Sequence, residues 1–184
     1  VPEKTATTTF NFSDGGTFNF TNIDNTQVTF TVPANFYTEN LQIQVFAYNN
    51  TAFESSKPPP SDKSFVGKVY DFNWLTTATG DSVSNLSGAP TMVLHYLDSD
   101  VSGIDESTLA SYRQGSGDSS WQFISGSTVD TVNNKVTFST TLFSSFALFG
   151  APAPAAPSGG GGGGGGVVPA KSVVFSGRAY PKGT

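Results

Sequence analysis

The sequence has no cysteine, little charge and no long apolar run. Without cysteine, the chain has no disulfides, no thiolate metal sites and no thiol catalysis, so its stability must come from packing. The apolar runs fall short of the roughly 20 residues that cross a bilayer, so we expect no membrane span. Nine Lys and Arg residues against fourteen Asp and Glu residues give a net charge of −5. These cations are scattered, which argues against nucleic acid as a partner.

What the chain does contain favours β-structure. Phe occurs 16 times, and Thr, Ser and Asn fill much of the remainder. Apolar and polar residues alternate with a period of two, which predicts strands with one buried face, in residues 10–12, 18–20, 28–32 and 41–47. The turn residues Asp14-Gly15-Gly16 and 22–25 predict hairpins between the first three of these strands.

Six further strands are expected beyond the proline-rich connection at residues 57–62, in residues 65–74, 91–96, 109–113, 121–124, 135–139 and 145–149. Turn residues at 115–118 predict a hairpin between the third and fourth of these. About ten short strands without helical periodicity predict an all-β fold, an antiparallel β-sandwich over residues 1–150, with a closed barrel as the alternative.

The composition changes after Gly150. Residues 151–166 are rich in Ala, Pro and Gly and predict a linker. Residues 167–184 contain one strand-like segment, formed by Ser172, Val173, Val174 and Phe175. Because 18 residues cannot build a core, we expect this segment to be either the start of a following domain or an assembly strand given to a neighbouring subunit.

The first third of the chain resembles the opening of a ZU5-type domain, through Gly15-Gly16, residues 28–34 and residues 41–45. The second half is similar to bacterial cell-surface modules, notably at residues 94–96 and 143–148. The resemblance implies an Ig-like or ZU5-like β-sandwich. Asn35 stands where the family commonly has Gly.

Some ZU5-like relatives cleave their own chain at a His-Phe-Ser motif. Here the matching residues are Leu142, Phe143 and Ser144. Because no imidazole stands at position 142 to activate the serine, the resemblance does not extend to self-cleavage.

A possible metal site lies in the acidic turn that begins at Asp98. Asp98, Asp100, Ser102 and Glu106 offer oxygen ligands at the spacing of a calcium loop, but Leu109 stands where the bidentate acid belongs. The alternative is a solvated turn whose side chains cap local backbone groups. Calcium is the only candidate cofactor; otherwise we expect none.

Aromatic residues provide the second candidate site. Trp74, Trp121 and Tyr112 would stack on sugar rings if they formed an exposed platform, whereas core packing is the alternative. His95 is the only imidazole and no nucleophile motif accompanies it, so an enzyme is not expected.

These features together predict a non-catalytic, extracellular structural module of a cell-surface or filamentous assembly, associating through β-strand pairing. Its expected partners are neighbouring copies or domains of the same surface protein. The alternative is a carbohydrate-binding or adhesin domain that binds a glycan through exposed aromatic residues.

Overall fold

The computed structural model of the protein describes residues 1–155. In this part of the chain there are twelve strands: β1 (Lys4–Phe10), β2 (Gly16–Thr21), β3 (Gln27–Val32), β4 (Leu41–Asn49), β5 (Ser64–Thr76), β6 (Ser82–Val83), β7 (Thr91–His95), β8 (Ile104–Gln114), β9 (Gln122–Phe123), β10 (Thr128–Asp130), β11 (Lys135–Ser139) and β12 (Ser145–Pro152). One helical turn, α1 (Thr51–Glu54), follows β4, and a 3-10 turn (Asp98–Val101) precedes β8.

The strands form two sheets in which the pairs are antiparallel. The seven-stranded sheet has the order β1-β4-β5-β12-β8-β9, with β6 also pairing with β5. The five-stranded sheet has the order β10-β11-β7-β3-β2. The predicted all-β antiparallel sandwich is therefore confirmed. Two short strands that the sequence pattern did not predict, β6 and β10, complete the sheets.

The main core lies between the two sheets and is rich in aromatic side chains. The inward residues of β3 and β4, among them Phe30 and Ile43, are almost fully buried. Phe30 packs against Phe72 of the opposite sheet, with ring centroids 5.3 Å apart. Since alternate residues of a strand face opposite sides, the period-two pattern in the sequence correctly identified this inner face.

A second, smaller cluster covers the outer face of the seven-stranded sheet. It is built on Val69 of β5 and on Ala147 and Phe149 of β12, and Trp121 and the α1 residue Phe53 pack onto them. Phe146 and Leu148 of β12 point the other way, into the main core. Because β12 is covered on both faces, its sequence is a continuous apolar run.

The predicted hairpin at Asp14-Gly15-Gly16 is wrong. A turn does form there, but β1 pairs with β4 and β2 pairs with β3, so the turn carries the chain from one sheet to the other. The other two predicted hairpins are present, as β2 pairs with β3 and β8 pairs with β9.

The C-terminal strand β12 runs two residues beyond the predicted boundary at Gly150. Ala151 pairs with Asp105, and Pro152 pairs with Ile104. The compact unit comprises Val1–Pro154. Most of the predicted linker and the whole predicted assembly strand, Ser172 to Phe175, lie outside the described residues.

Candidate functional site

Both tryptophans proposed for sugar stacking are buried. Trp74 is 1% exposed and packs in the main core against Phe10, Phe30 and Phe143. Trp121 is 5% exposed and lies in the outer cluster, where its Nε1 donates a hydrogen bond to the carbonyl oxygen of Lys57 at 3.0 Å. Neither ring offers a face to a ligand, so core packing is the correct interpretation for these two residues.

The third residue of that set, Tyr112, is half-buried. Its ring packs edge-on against Phe149 at 5.1 Å and against Phe123 at 5.6 Å. Phe123 is 60% exposed. An exposed platform of Trp74, Trp121 and Tyr112 is therefore not formed, and that expectation is corrected.

The carboxylates of the acidic turn accept hydrogen bonds from other groups of the protein. Asp98 Oδ1 accepts a hydrogen bond from Asn134 Nδ2 at 2.6 Å, and Asp100 Oδ2 accepts one from the Leu97 amide at 2.9 Å. Glu106 lies within β8 rather than in the turn. Within residues 1–155, no group of three or more His, Asp or Glu side chains is arranged to hold a metal ion. Asp98, Asp100, Ser102 and Glu106 are thus not assembled as a calcium site.

The single histidine has the surroundings of a sheet residue. His95 is half-buried in β7, directly across from Lys135 of β11. Burial, together with the charge of Lys135, lowers the pKa of His95. Partial burial in a strand opposite a lysine is the setting of a packed sheet residue.

A polar pocket of about 330 Å³ opens where β5 changes its partner. On the edge away from β4, this strand pairs with β12 as far as Asp71 and with β6 at Trp74 and Leu75. The apolar part of the lining comes from Phe72, Val83 and Phe143. Its polar part comes from six residues: Asp71, Asn73, Ser82, Ser84, Ser116 and Ser144.

Backbone hydrogen bonds hold the walls of this pocket, which we name the β5–β6 pocket. The Phe72 amide donates to the Ser144 carbonyl at 3.0 Å, and the Phe143 amide donates to the Ser84 carbonyl at 3.0 Å. The first bond ties the segment before β12 to β5, and the second ties it to the segment before β7.

The loop that carries Ser116 is also fixed. Asp118 Oδ2 accepts hydrogen bonds from the Gly115 amide at 2.7 Å and from Arg113 Nη2 at 3.0 Å. The positive charge of Arg113 is therefore compensated by Asp118. Ser116 reaches the pocket from a loop whose geometry is set by this ion pair.

Sequence reasoning missed the β5–β6 pocket because its residues come from four separate segments. One signal was available: Asp71 and Asn73 alternate with the inward Phe72 and Trp74, which places polar side chains on the outer face of a long strand. The convergence of the three other segments depends on the fold and leaves no local pattern.

The ends of the sheets offer surfaces of a different kind. Among the described residues, the outermost strands are β1 and β9 in one sheet and β10 and β2 in the other. β9 has two residues and β10 has three, whereas β1 has seven and β2 has six. Of these four terminal strands β1 is therefore the longest.

Comparison with models of known protein families finds no match for the chain, and comparison with curated protein sequences finds none. The ZU5-like resemblance accordingly stays a prediction. None of the helical turns in residues 1–155 has the length and apolar character of a bilayer-crossing helix.

Proposed function

We propose that the protein is a non-catalytic, extracellular structural module that joins neighbouring copies of itself through β-strand pairing at the edge of β1. The observation that carries this proposal is the unprotected state of that edge. An edge strand presents alternating N–H and C=O groups to which another strand can bind.

The features that normally block edge pairing are nearly absent from β1. Proline, bulges and charges are the usual protection. β1 contains no proline, keeps an uninterrupted register of seven pairs with β4, and has a single charge, at Lys4. Its outward residues Thr5, Thr7 and Thr9 are exposed and neutral. This edge is suited to receive a strand.

The partner we propose is the segment Ser172 to Phe175 of a neighbouring copy. It is short, β-branched and apolar, as a donated strand should be. Ser172 follows Ala155 by 17 positions, and a segment of that length spans at most about 60 Å. The sequence thus provides enough chain to reach another module.

The extracellular part of the proposal is supported by composition. Charged residues make up 12% of the chain, and the described surface is rich in Thr, Ser and Asn. Scarce Lys and Glu with abundant Thr, Ser, Asn and Gly is the compositional feature from which we infer a location at the cell surface.

The test is a pair of substitutions that add the same charge to the same face of the sheet. Thr7→Lys places a lysine on the edge strand, while Gln44→Lys places one on its paired neighbour in β4, one strand further in. Light scattering over a range of concentrations should show that the 184-residue chain associates, that Thr7→Lys weakens association at least about tenfold, and that Gln44→Lys does not. A monomeric chain at all concentrations, or equal effects of the two variants, would contradict the proposal.

A further inference from the structure

We propose that the β5–β6 pocket binds a neutral, hydroxyl-rich ligand of the class of a sugar residue. This site is separate from the aromatic residues that the sequence suggested, and from the β1 edge. Polar groups of six residues converge in this pocket.

Most of these groups lack a hydrogen-bond partner within residues 1–155. Within residues 1–155, the side chains of Asn73, Ser84, Ser116 and Ser144 make no hydrogen bond to another protein group, although all line one concavity. Asp71 receives one hydrogen bond, from Ser145 Oγ to its Oδ1 at 3.2 Å. Since a carboxylate has two oxygens, Oδ2 remains able to accept another. Binding sites are distinguished by such convergent polar groups.

The charge of the lining selects among ligand classes. No Lys, Arg or His lines the pocket, and the nearby Arg113 is paired with Asp118. An anionic ligand would therefore meet Asp71 without a compensating cation. A sugar residue matches the lining better, because each hydroxyl both donates and accepts: Asp71 accepts, the Asn73 amide does both, and the serines do both.

The pocket is also suited to a sugar in size and rigidity. A volume of about 330 Å³ is at the lower end of the range of about 300–1,000 Å³ for small-molecule sites. Its walls are held by the Phe72–Ser144 and Phe143–Ser84 backbone hydrogen bonds. Because the backbone that carries these polar side chains is already fixed, a ligand has to order only the side chains when it binds.

The experiment is an NMR titration of the isotope-labelled 184-residue protein. The probes are methyl glucoside, methyl galactoside, methyl mannoside and N-acetylglucosamine, with glucuronate as the anionic arm and glucosamine as the cationic arm. At least one neutral sugar should shift the amide signals of residues 71–73, 82–84 and 144 together. Glucuronate should not shift them.

Two variants confirm the site. Asn73→Ala and Ser84→Ala each remove an exposed side chain that makes no hydrogen bond within residues 1–155, so the fold should be preserved. Each should weaken binding about threefold to tenfold. The matched control is Gln27→Ala, an exposed residue of the other sheet, which should leave binding unchanged.

Three results would overturn the proposal. One is that no neutral sugar shifts the pocket signals at tens of millimolar. Another is that the shifted signals are spread over the surface, or that Gln27→Ala weakens binding as much as Asn73→Ala and Ser84→Ala do. The last is that only glucosamine binds, which would make the pocket a cation site. None of these outcomes bears on strand pairing at β1, which is measured by association.

Discussion

Lys68 forms ion pairs with Glu3 and Asp24 and so connects the two sheets at one end of the sandwich. It lies two residues before the core residue Tyr70, and both pair in register with β4, so strand alternation places Lys68 on the same face as Tyr70. Its Nζ is 2.8 Å from Glu3 Oε2, before β1, and 3.6 Å from Asp24 Oδ2, in the turn between β2 and β3. The ammonium group therefore links the two sheets.

The titration of the neighbouring carboxylate agrees with this arrangement. Burial by itself would raise the pKa of Asp24, but hydrogen bonds from the side chain and backbone of Thr26, with the charge of Lys68, outweigh burial and lower that pKa from its usual value. The ionised form of Asp24 is thus the form that the folded protein favours. Lys68 contributes to that preference from the opposite sheet.

Replacing Lys68 with methionine should destabilise the protein by roughly 1–3 kcal/mol, because Glu3 and Asp24 would lose the charge that compensates their partial burial. Urea unfolding monitored by tryptophan fluorescence would measure the loss. The matched control is Lys63→Met, since Lys63 forms no ion pair within residues 1–155, and it should change stability by less than about 0.5 kcal/mol. Equal losses in the two variants would show that the ion pairs add nothing.

At the scale of elements, the turn between β1 and β2 depends on one glycine. Gly15 has a φ of +67°, and a Cβ there would lie 2.3 Å from the Val32 carbonyl oxygen. Gly80 has a similar φ of +76°, but a Cβ there would meet nothing within 4 Å. A Cβ would therefore meet an unfavourable φ at both positions, but it would contact other atoms only at Gly15.

The variant Gly15→Ala should therefore cost much more than Gly80→Ala. The second should lose about 1 kcal/mol, the cost of a left-handed backbone for alanine. The first should lose at least about 2 kcal/mol more, because the clash is with backbone that cannot move aside. Thermal unfolding of both variants would compare them, and similar losses would mean that the turn relaxes around the added methyl group.

This turn also shows why the sequence predicts elements better than their partners. Alternation identified the buried faces of β3 and β4, and glycine identified the turn at residues 14–16. Neither signal is long-range, so neither could show that β1 and β2 belong to different sheets. The prediction that Trp121 is exposed is wrong for a related reason. The outer cluster that buries it is formed by α1 and β12, which are distant in the sequence.

At the scale of the whole molecule, the end of β12 sets the C-terminal boundary of the compact unit, Val1–Pro154. Beyond Gly150, the Ala151 amide donates to Thr108 Oγ1 at 2.7 Å, and the Ala153 amide donates to the Gly103 carbonyl at 2.8 Å. Both bonds hold the start of β8 against β12. A cut at the composition change would remove them, although the sequence places the boundary there.

Two truncated chains should separate folding from association. A chain ending at Pro154 keeps both hydrogen bonds and the complete compact unit, so it should unfold within about 0.5 kcal/mol of the full chain. A chain ending at Gly150 loses both bonds and should be less stable by roughly 1–3 kcal/mol. Urea unfolding would measure the difference between them.

Light scattering on the same two chains would then test assembly. Both should be monomeric at concentrations where the 184-residue chain associates, since both lack Ser172 to Phe175, the strand proposed to pair with β1. If the chain ending at Pro154 still associates, the contact lies within the sandwich and the donated-strand proposal fails. If it is monomeric and as stable as the full chain, the residues beyond Pro154 contribute to assembly and not to folding.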